Sequence, residues 1–152
     1  MATKTTPKAQ TFSMKLPTLS EGRSDRILAR TEMVQLRGKV YAQGGENTLH
    51  THTRQDHGFF VIGGQATFHD EEENLTVVGA FEGILLPAGS YYWFQSTGDE
   101  NLVMLRFAGK FDGGGDKIGD DRIDLHGQPF PGDHLDNNPV PPVEVPGSFF
   151  GQ

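Results

Sequence analysis

Short apolar segments separated by turn residues limit this chain to a small set of folds. Segments such as ILARTEMVQLRGKVYA and LTVVGAFEGILLP alternate apolar and polar residues between groups of Gly, Pro, Asn and Asp. Such alternation is typical of half-buried strands, because successive side chains of a strand point to opposite faces. Turn signals about every 8–12 residues are typical of a sandwich or barrel. The 152 residues therefore predict one all-β domain.

The segments on either side of this pattern have a different character. Residues 1–25 are polar and are predicted to form an N-terminal arm, followed by a β-barrel over residues 26–109. Residues 110–152 form a tail rich in Gly, Pro and Asp that ends in the aromatic sequence PGSFF. Because exposed phenylalanine is costly in water, we expect the irregular tail to pack on the barrel or on a partner subunit.

Charge and composition exclude several classes of function. The net charge of −7 disfavours binding to nucleic acid or to an anionic membrane. The absence of cysteine excludes disulfides, thiolate metal sites and a cysteine nucleophile. No apolar run approaches the length of a membrane helix or of a signal-peptide core. We therefore expect a cytoplasmic protein whose partner is a small molecule.

Three histidines within eight residues are the strongest chemical signal. His50 and His52 are two residues apart, so a strand would direct both to one face. His57 follows after an odd step, and a turn or bulge in TRQD would return it to that face. Neutral imidazole is a common ligand of divalent transition metals. From the triplet alone, a metal site and a solvated polar turn are both open.

The surroundings of these histidines resemble the two motifs of the cupin family. The segment from Gly44 to Gly64 has the spacing of the first motif, G-x5-H-x-H-x3–4-E-x6-G. The PAG sequence at residues 87–89 is similar to the start of the second motif, P-x-G-x2-H. The resemblance extends over about residues 33–107. It implies an all-β cupin fold, the double-stranded β-helix or jelly-roll barrel.

Two departures from the family pattern affect the implied site. His57 stands where the family has glutamate, and Tyr92 stands where the second motif has histidine. The resemblance thus implies one divalent metal ion per chain on His50, His52 and His57. Fe(II) is favoured, and Zn, Mn, Ni or Cu are alternatives. Tyr92 is a fourth ligand, an acid/base or hydrogen-bonding group, or barrel filling, and Asp56 is expected to accept a hydrogen bond from a ligand imidazole.

Strand alternation also predicts the side chains that line the pocket. Phe59 and Val61 share the parity of His57, and Phe94 shares that of Tyr92. In the strand before the histidines, either a polar or an apolar set faces inward. Basic residues usually face solvent, whereas an inward basic set would suit an anionic or enolate substrate. The candidates for the lining are Phe59, Val61, Phe94, Arg37, Lys39 and Arg106.

The resemblance implies a metal-dependent enzyme acting on a small oxygenated organic molecule. The first candidate is an oxidoreductase, an Fe(II)-dependent dioxygenase that cleaves C–C bonds. The alternatives are a non-redox isomerase, lyase or hydrolase, and a non-catalytic cupin that only binds a small ligand. Fold alone does not decide among them. Because cupins often dimerise by exchanging edge strands or arms, we also expect a homodimer.

Overall fold

The structure, a computed structural model, describes residues 5–42, 47–110, 121–132 and 140–152. Gly44 of the predicted motif and His134 lie outside these residues. The described residues contain twelve β-strands and no helix, which confirms the all-β prediction. The strands are β1 (Pro17–Glu21), β2 (Arg23–Arg30), β3 (Val34–Tyr41), β4 (Thr51–His52), β5 (Gln55–Gly63), β6 (Ala66–His69), β7 (Leu75–Val78), β8 (Gly83–Leu86), β9 (Trp93–Ser96), β10 (Leu102–Lys110), β11 (Arg122–Ile123) and β12 (Val143–Phe149).

Two antiparallel sheets enclose the main core. The larger sheet has the order β2-β3-β10-β5-β8, and the smaller has the order β7-β6-β9. Alternate residues of both sheets point into the space between them, where aromatic rings contact one another across the interface. The buried residues of this core are Tyr41, Phe59, Val61, Ala66, Phe68, Val78, Tyr92, Phe94, Leu102 and Met104.

The chain crosses from the larger sheet to the smaller one at Gly64. This residue lies between β5 and β6 and has a φ of 74°, a conformation that residues with a Cβ rarely adopt. A Cβ placed there would lie 2.5 Å from the carbonyl oxygen of Asn101. The glycine predicted at the end of the first motif is thus required both by the backbone conformation and by close packing.

The two ends of the chain form a separate two-stranded sheet. β1 pairs antiparallel with β12, with Pro17 opposite Phe149. Leu16 and Leu19 are buried in a second apolar cluster, on which the ring of Phe150 packs. β2 begins at Arg23, within the segment predicted as an arm. Parts of the arm and tail are therefore built into the fold as paired strands.

Within the described part of the chain, no helix has the length and apolar character required to traverse a bilayer. The cytoplasmic location stays a prediction.

Candidate functional site

A cavity of about 550 Å³ contains all three histidines in its lining. Its volume lies within the range of about 300–1,000 Å³ that is typical of small-molecule sites. His50 and His57 are each 2% exposed and His52 is 5% exposed. The cluster is therefore a buried feature of the fold, and the solvated-turn interpretation of HTHTRQDH is wrong.

Local backbone structure explains how the three rings come together. His50 forms an isolated bridge with Tyr92, with backbone hydrogen bonds of 3.1 and 2.9 Å in the two directions. His52 ends β4, the chain bends at residues 53 and 54, and His57 then lies on β5. The bend shifts the strand alternation, so that His57 faces the same cavity as the other two.

The rings are close to one another, but they are not arranged around one point. The ring centroids of His52 and His57 are 3.6 Å apart with 34° between the ring planes, and those of His50 and His52 are 5.2 Å apart. Lone pairs of imidazole lie in the ring plane, so two rings that overlap at 3.6 Å with a tilt of 34° do not direct their lone pairs at a common centre. Among the residues that the structure describes, no group of three His, Asp or Glu side chains could hold a metal ion as placed.

The chemistry of His52 nevertheless suits a metal ligand. Its Nδ1 lies 2.7 Å from Oδ1 of Asp121. An ionised carboxylate can only accept, so Nδ1 carries the proton and donates it. Burial lowers the pKa of His52 despite Asp121, and the neutral ring therefore has its lone pair on Nε2. In the described residues Nε2 is buried without a hydrogen-bond partner, which is costly unless a ligand occupies that position.

His50 is oriented in a similar way. Its Nδ1 lies 2.6 Å from the carbonyl oxygen of Thr48, which can only accept, so Nδ1 donates and, in the neutral ring, Nε2 holds the lone pair. Both rings are thus fixed with the same nitrogen as the potential ligand.

His57 is placed differently. Its Nδ1 lies 3.4 Å from the hydroxyl of Tyr92, and its Nε2 lies 3.4 Å from Oε1 of Gln55. Burial, with His52 and Arg106 adding to it, lowers the pKa of His57 far below the ordinary value, so the ring is neutral. Both contacts are longer than usual hydrogen bonds. His57 would have to give up one of them to act as a ligand.

Tyr92 is buried beside the histidines, with 4% of its surface exposed. Burial raises the pKa of its hydroxyl well above the ordinary value of 10.0, although nearby arginines oppose the shift. The phenol is therefore neutral at physiological pH. A neutral phenol is a good hydrogen-bond donor and a poor ligand, which favours the hydrogen-bonding role among the three considered from sequence.

The role predicted for Asp56 belongs in the structure to Asp121. Oδ1 of Asp56 accepts a 2.8 Å hydrogen bond from the backbone N–H of Ala88, in the PAG turn. Asp56 has the opposite strand parity to His57, which explains why it does not reach an imidazole. Asp121 contacts His52 because β11 pairs with β4.

Asp121 is held by several donors from the histidine segment. Besides His52, its carboxylate accepts from the backbone N–H of Arg54 at 2.7 Å and from Nε2 of Gln55 at 3.3 Å. Burial alone would raise its pKa, but these hydrogen bonds outweigh burial and lower it. Asp121 is therefore an ionised acceptor. In sequence it is one of several acids in GDDRID, and no spacing distinguished it.

The polar set of β3 lines the cavity, with Gln35, Arg37, Lys39 and Tyr41 all in contact with it. Basic side chains can face inward here because a carboxylate, which the sequence analysis did not identify, lies beside them. Asp25 of β2 contacts both Nη1 of Arg37 and Nζ of Lys39, each at 2.9 Å. The Lys39 side chain is 10% exposed.

The other predicted lining residues divide into two groups. Phe59, Phe94 and Arg106 line the cavity. Val61 is fully buried in the apolar core and is not among the described lining residues, so that part of the prediction is wrong. Met104 lies opposite Val61, and the two fill the space between the sheets beyond the cavity.

Comparison with known proteins identifies the fold. The family model described as "Cupin domain" matches residues 39–107. No curated protein matches the sequence. A Klebsiella pneumoniae protein with a double-stranded β-helix domain is similar in structure, with a TM-score of 0.60 and 16% identity over 70% of this chain and 95% of that one.

Two further solved structures have the same fold. The cupin domain of Schizosaccharomyces pombe Cnp3 has a TM-score of 0.55 and 13% identity, covering 59% of this chain and 65% of its own. KdgF from Halomonas sp. has a TM-score of 0.53 and 20% identity, covering 60% and 82%. At these identities the likeness concerns the fold and carries no particular reaction to this chain.

Proposed function

Because this chain is a cupin-domain protein, with residues 39–107 matching the cupin family, we propose that it is a metal-dependent enzyme acting on a small oxygenated organic molecule. The observation that carries the proposal is the buried Nε2 of His52, which has a lone pair and no partner among the described residues. A divalent cation in the cavity would satisfy this atom. When bound, it would act as a Lewis acid toward a substrate oxygen.

The proposed ligands are His50, His52 and His57. The first two are already oriented, by the Thr48 carbonyl and by Asp121 respectively. His57 would give up its contact with the Tyr92 hydroxyl, which at 3.4 Å is longer than a usual hydrogen bond, and would use Nδ1 as the ligand atom. The hydroxyl of Tyr92 is then free to donate a hydrogen bond to the substrate.

The remaining lining residues support binding of a small organic molecule. Phe59 and Phe94 supply aromatic surface, against which an organic group can pack as water leaves. We propose Fe(II)-dependent cleavage of a C–C bond by dioxygen as the first reaction to assay. Anaerobic loading with Fe(II), followed by measurement of oxygen uptake with diketones and phenolic ketones, tests it. Turnover of these compounds with Zn(II) but no oxygen uptake would instead indicate non-redox chemistry.

The metal proposal is tested by titrating metal-free protein with Zn(II) in a calorimeter. We expect about one ion per chain. His52→Ala is expected to lower the affinity by at least about 100-fold, since it removes a ligand outright. His69→Ala is the matched control, because the His69 ring stacks on Trp93 at 3.9 Å and lies outside the cavity. Unchanged affinity in His52→Ala would contradict the proposal.

Asp121→Asn is expected to weaken metal binding by about 10–100-fold, because Nδ1 of His52 then donates its hydrogen bond to a neutral amide rather than to a carboxylate. Asp56→Asn is the control, since Asp56 accepts from the Ala88 N–H instead of an imidazole. Zn(II) titration of both variants measures the difference. A larger loss in Asp56→Asn would return the orienting role to Asp56.

We propose that the protein is a homodimer. The larger sheet has β2 and β8 at its edges, and exposed edges are commonly covered by a second chain. Light scattering at micromolar concentration is expected to give twice the chain mass of 16.7 kDa. A mass equal to that of one chain would be evidence against the dimer.

A further inference from the structure

Two arginines face each other on the inner surface of the larger sheet. Arg37 of β3 and Arg106 of β10 are direct partners in the antiparallel register, and both line the cavity. Like charges directly opposite each other on one face destabilise a sheet. Arg106 is also only 6% exposed, so water does little to screen this repulsion.

The described residues provide unequal compensation for these charges. Asp25 supplies carboxylate oxygens to Arg37 and to Lys39. Among the residues that the structure describes, Arg106 has a single hydrogen bond, from Nη2 to Oε1 of Gln35 at 2.8 Å, and its Nε is buried without a partner. The same Gln35 oxygen accepts from Nε of Arg37 at 2.8 Å. A neutral amide therefore holds both guanidinium groups together without neutralising either.

A buried guanidinium with one neutral partner is costly to the fold. Arginine cannot relieve this cost by losing its proton. Among the described residues Arg106 forms no ion pair, and Asp25 attracts it only from a distance. The guanidinium is at the cavity surface, where a ligand can reach it. A buried guanidinium at the wall of a cavity, with donors left over, is the arrangement expected of an anion-binding site without its anion.

We propose that the cavity binds a small organic acid, with its carboxylate on Arg106 and its other end toward the histidines. Gln35 is a positioning residue that holds the Arg106 guanidinium in place. His57 pairs with Ala108, two residues along β10 from Arg106. This offset corresponds to roughly 7 Å along the strand, and both Arg106 and His57 line the cavity. The placement of the reacting end rests on the proposed function, whereas the binding of the carboxylate does not.

The first test compares acids with their amides on metal-free wild-type protein. Benzoate and benzamide have nearly the same shape, as do malonate and malonamide, and their dissociation constants can be measured by NMR titration. The acid is expected to bind at least about tenfold more tightly, as a charge-assisted hydrogen bond predicts. Its affinity should fall as salt rises from about 50 to about 500 mM. Equal binding of acid and amide would overturn the proposal.

The second test removes the charge. Arg106→Met is expected to reduce benzoate affinity at least about tenfold while leaving benzamide binding unchanged. It should also raise the melting temperature, because the repulsion and the burial cost disappear. Arg106→Lys is expected to retain part of the affinity, since it keeps the charge but not the planar fork. Arg30→Met, at an exposed position on β2, is the matched control.

Full benzoate affinity in Arg106→Met would refute the assignment. If that variant does not fold, the comparison of acid with amide on the wild type still decides the question. Since all titrations use metal-free protein, failure of the metal proposal would leave the result intact. Conversely, a protein that binds zinc but does not prefer acids over amides would refute only the anion site.

Discussion

Replacing Gly64 with alanine is expected to lower the free energy of unfolding by about 3 kcal/mol. The added methyl group would collide with the carbonyl oxygen of Asn101 at 2.5 Å, and backbone atoms there cannot move without disturbing β10. The residue must also keep its φ of 74°, which is unfavourable for any L side chain. Strain and overpacking each cost about 1–3 kcal/mol. Urea unfolding followed by circular dichroism measures the loss.

Gly89→Ala is the matched control for this prediction. Gly89 has a φ of 91°, but nothing lies within 4 Å of the position that a Cβ would occupy. Only the conformational cost remains, about 1 kcal/mol. Equal losses in the two variants would show that close approach to Asn101 is not what requires glycine at position 64.

Replacing Asp25 with alanine is expected to destabilise the protein by about 2–3 kcal/mol. The change leaves Lys39 and Arg37 beside Arg106 without their carboxylate. Breaking a fully buried ion pair costs about 3–5 kcal/mol. The value expected here is lower because the Asp25 side chain is 34% exposed and water partly screens the remaining charges.

Glu144→Ala provides the comparison for Asp25. Glu144 forms a 3.0 Å ion pair with Arg26, but the two side chains are 53% and 49% exposed. Exposed pairs contribute less than about 1 kcal/mol, so urea unfolding of this variant should resemble that of the wild type. A loss as large as that of Asp25→Ala would mean that burial is not the deciding factor.

The Asp25 network also predicts how stability depends on pH. Burial alone would raise the pKa of Asp25, but Lys39 and Arg37 outweigh it and hold the pKa well below its ordinary value of 3.8. A lowered pKa in the folded state means that the stabilisation is present above pH 3.8 and is lost as pH falls toward the folded value. Urea midpoints measured below about pH 4 should therefore fall more steeply in the wild type than in Asp25→Asn. Parallel curves would contradict this.

The all-β class, the histidine cluster and much of the cavity lining could be predicted from the sequence. These features depend on local rules: strand alternation places His57 with Phe59 and Tyr92 with Phe94, and recurring turn residues separate the strands. Val61 shows the limit of the rule. Alternation identifies the inward face, but it does not tell where along the strand a cavity ends and the packed core begins.

The tertiary structure determines which carboxylates lie beside the histidines and the basic residues of the site. Asp121 reaches His52 through the pairing of β11 with β4, nearly seventy residues apart. Asp25 allows Arg37 and Lys39 to face inward because β2 and β3 pair in the appropriate register. The alternation of side chains along a strand is a local property of the chain, whereas the pairing of strands depends on the free energy of the whole fold. The sequence therefore determined which residues could carry the chemistry, and the fold decided which charges stand beside them.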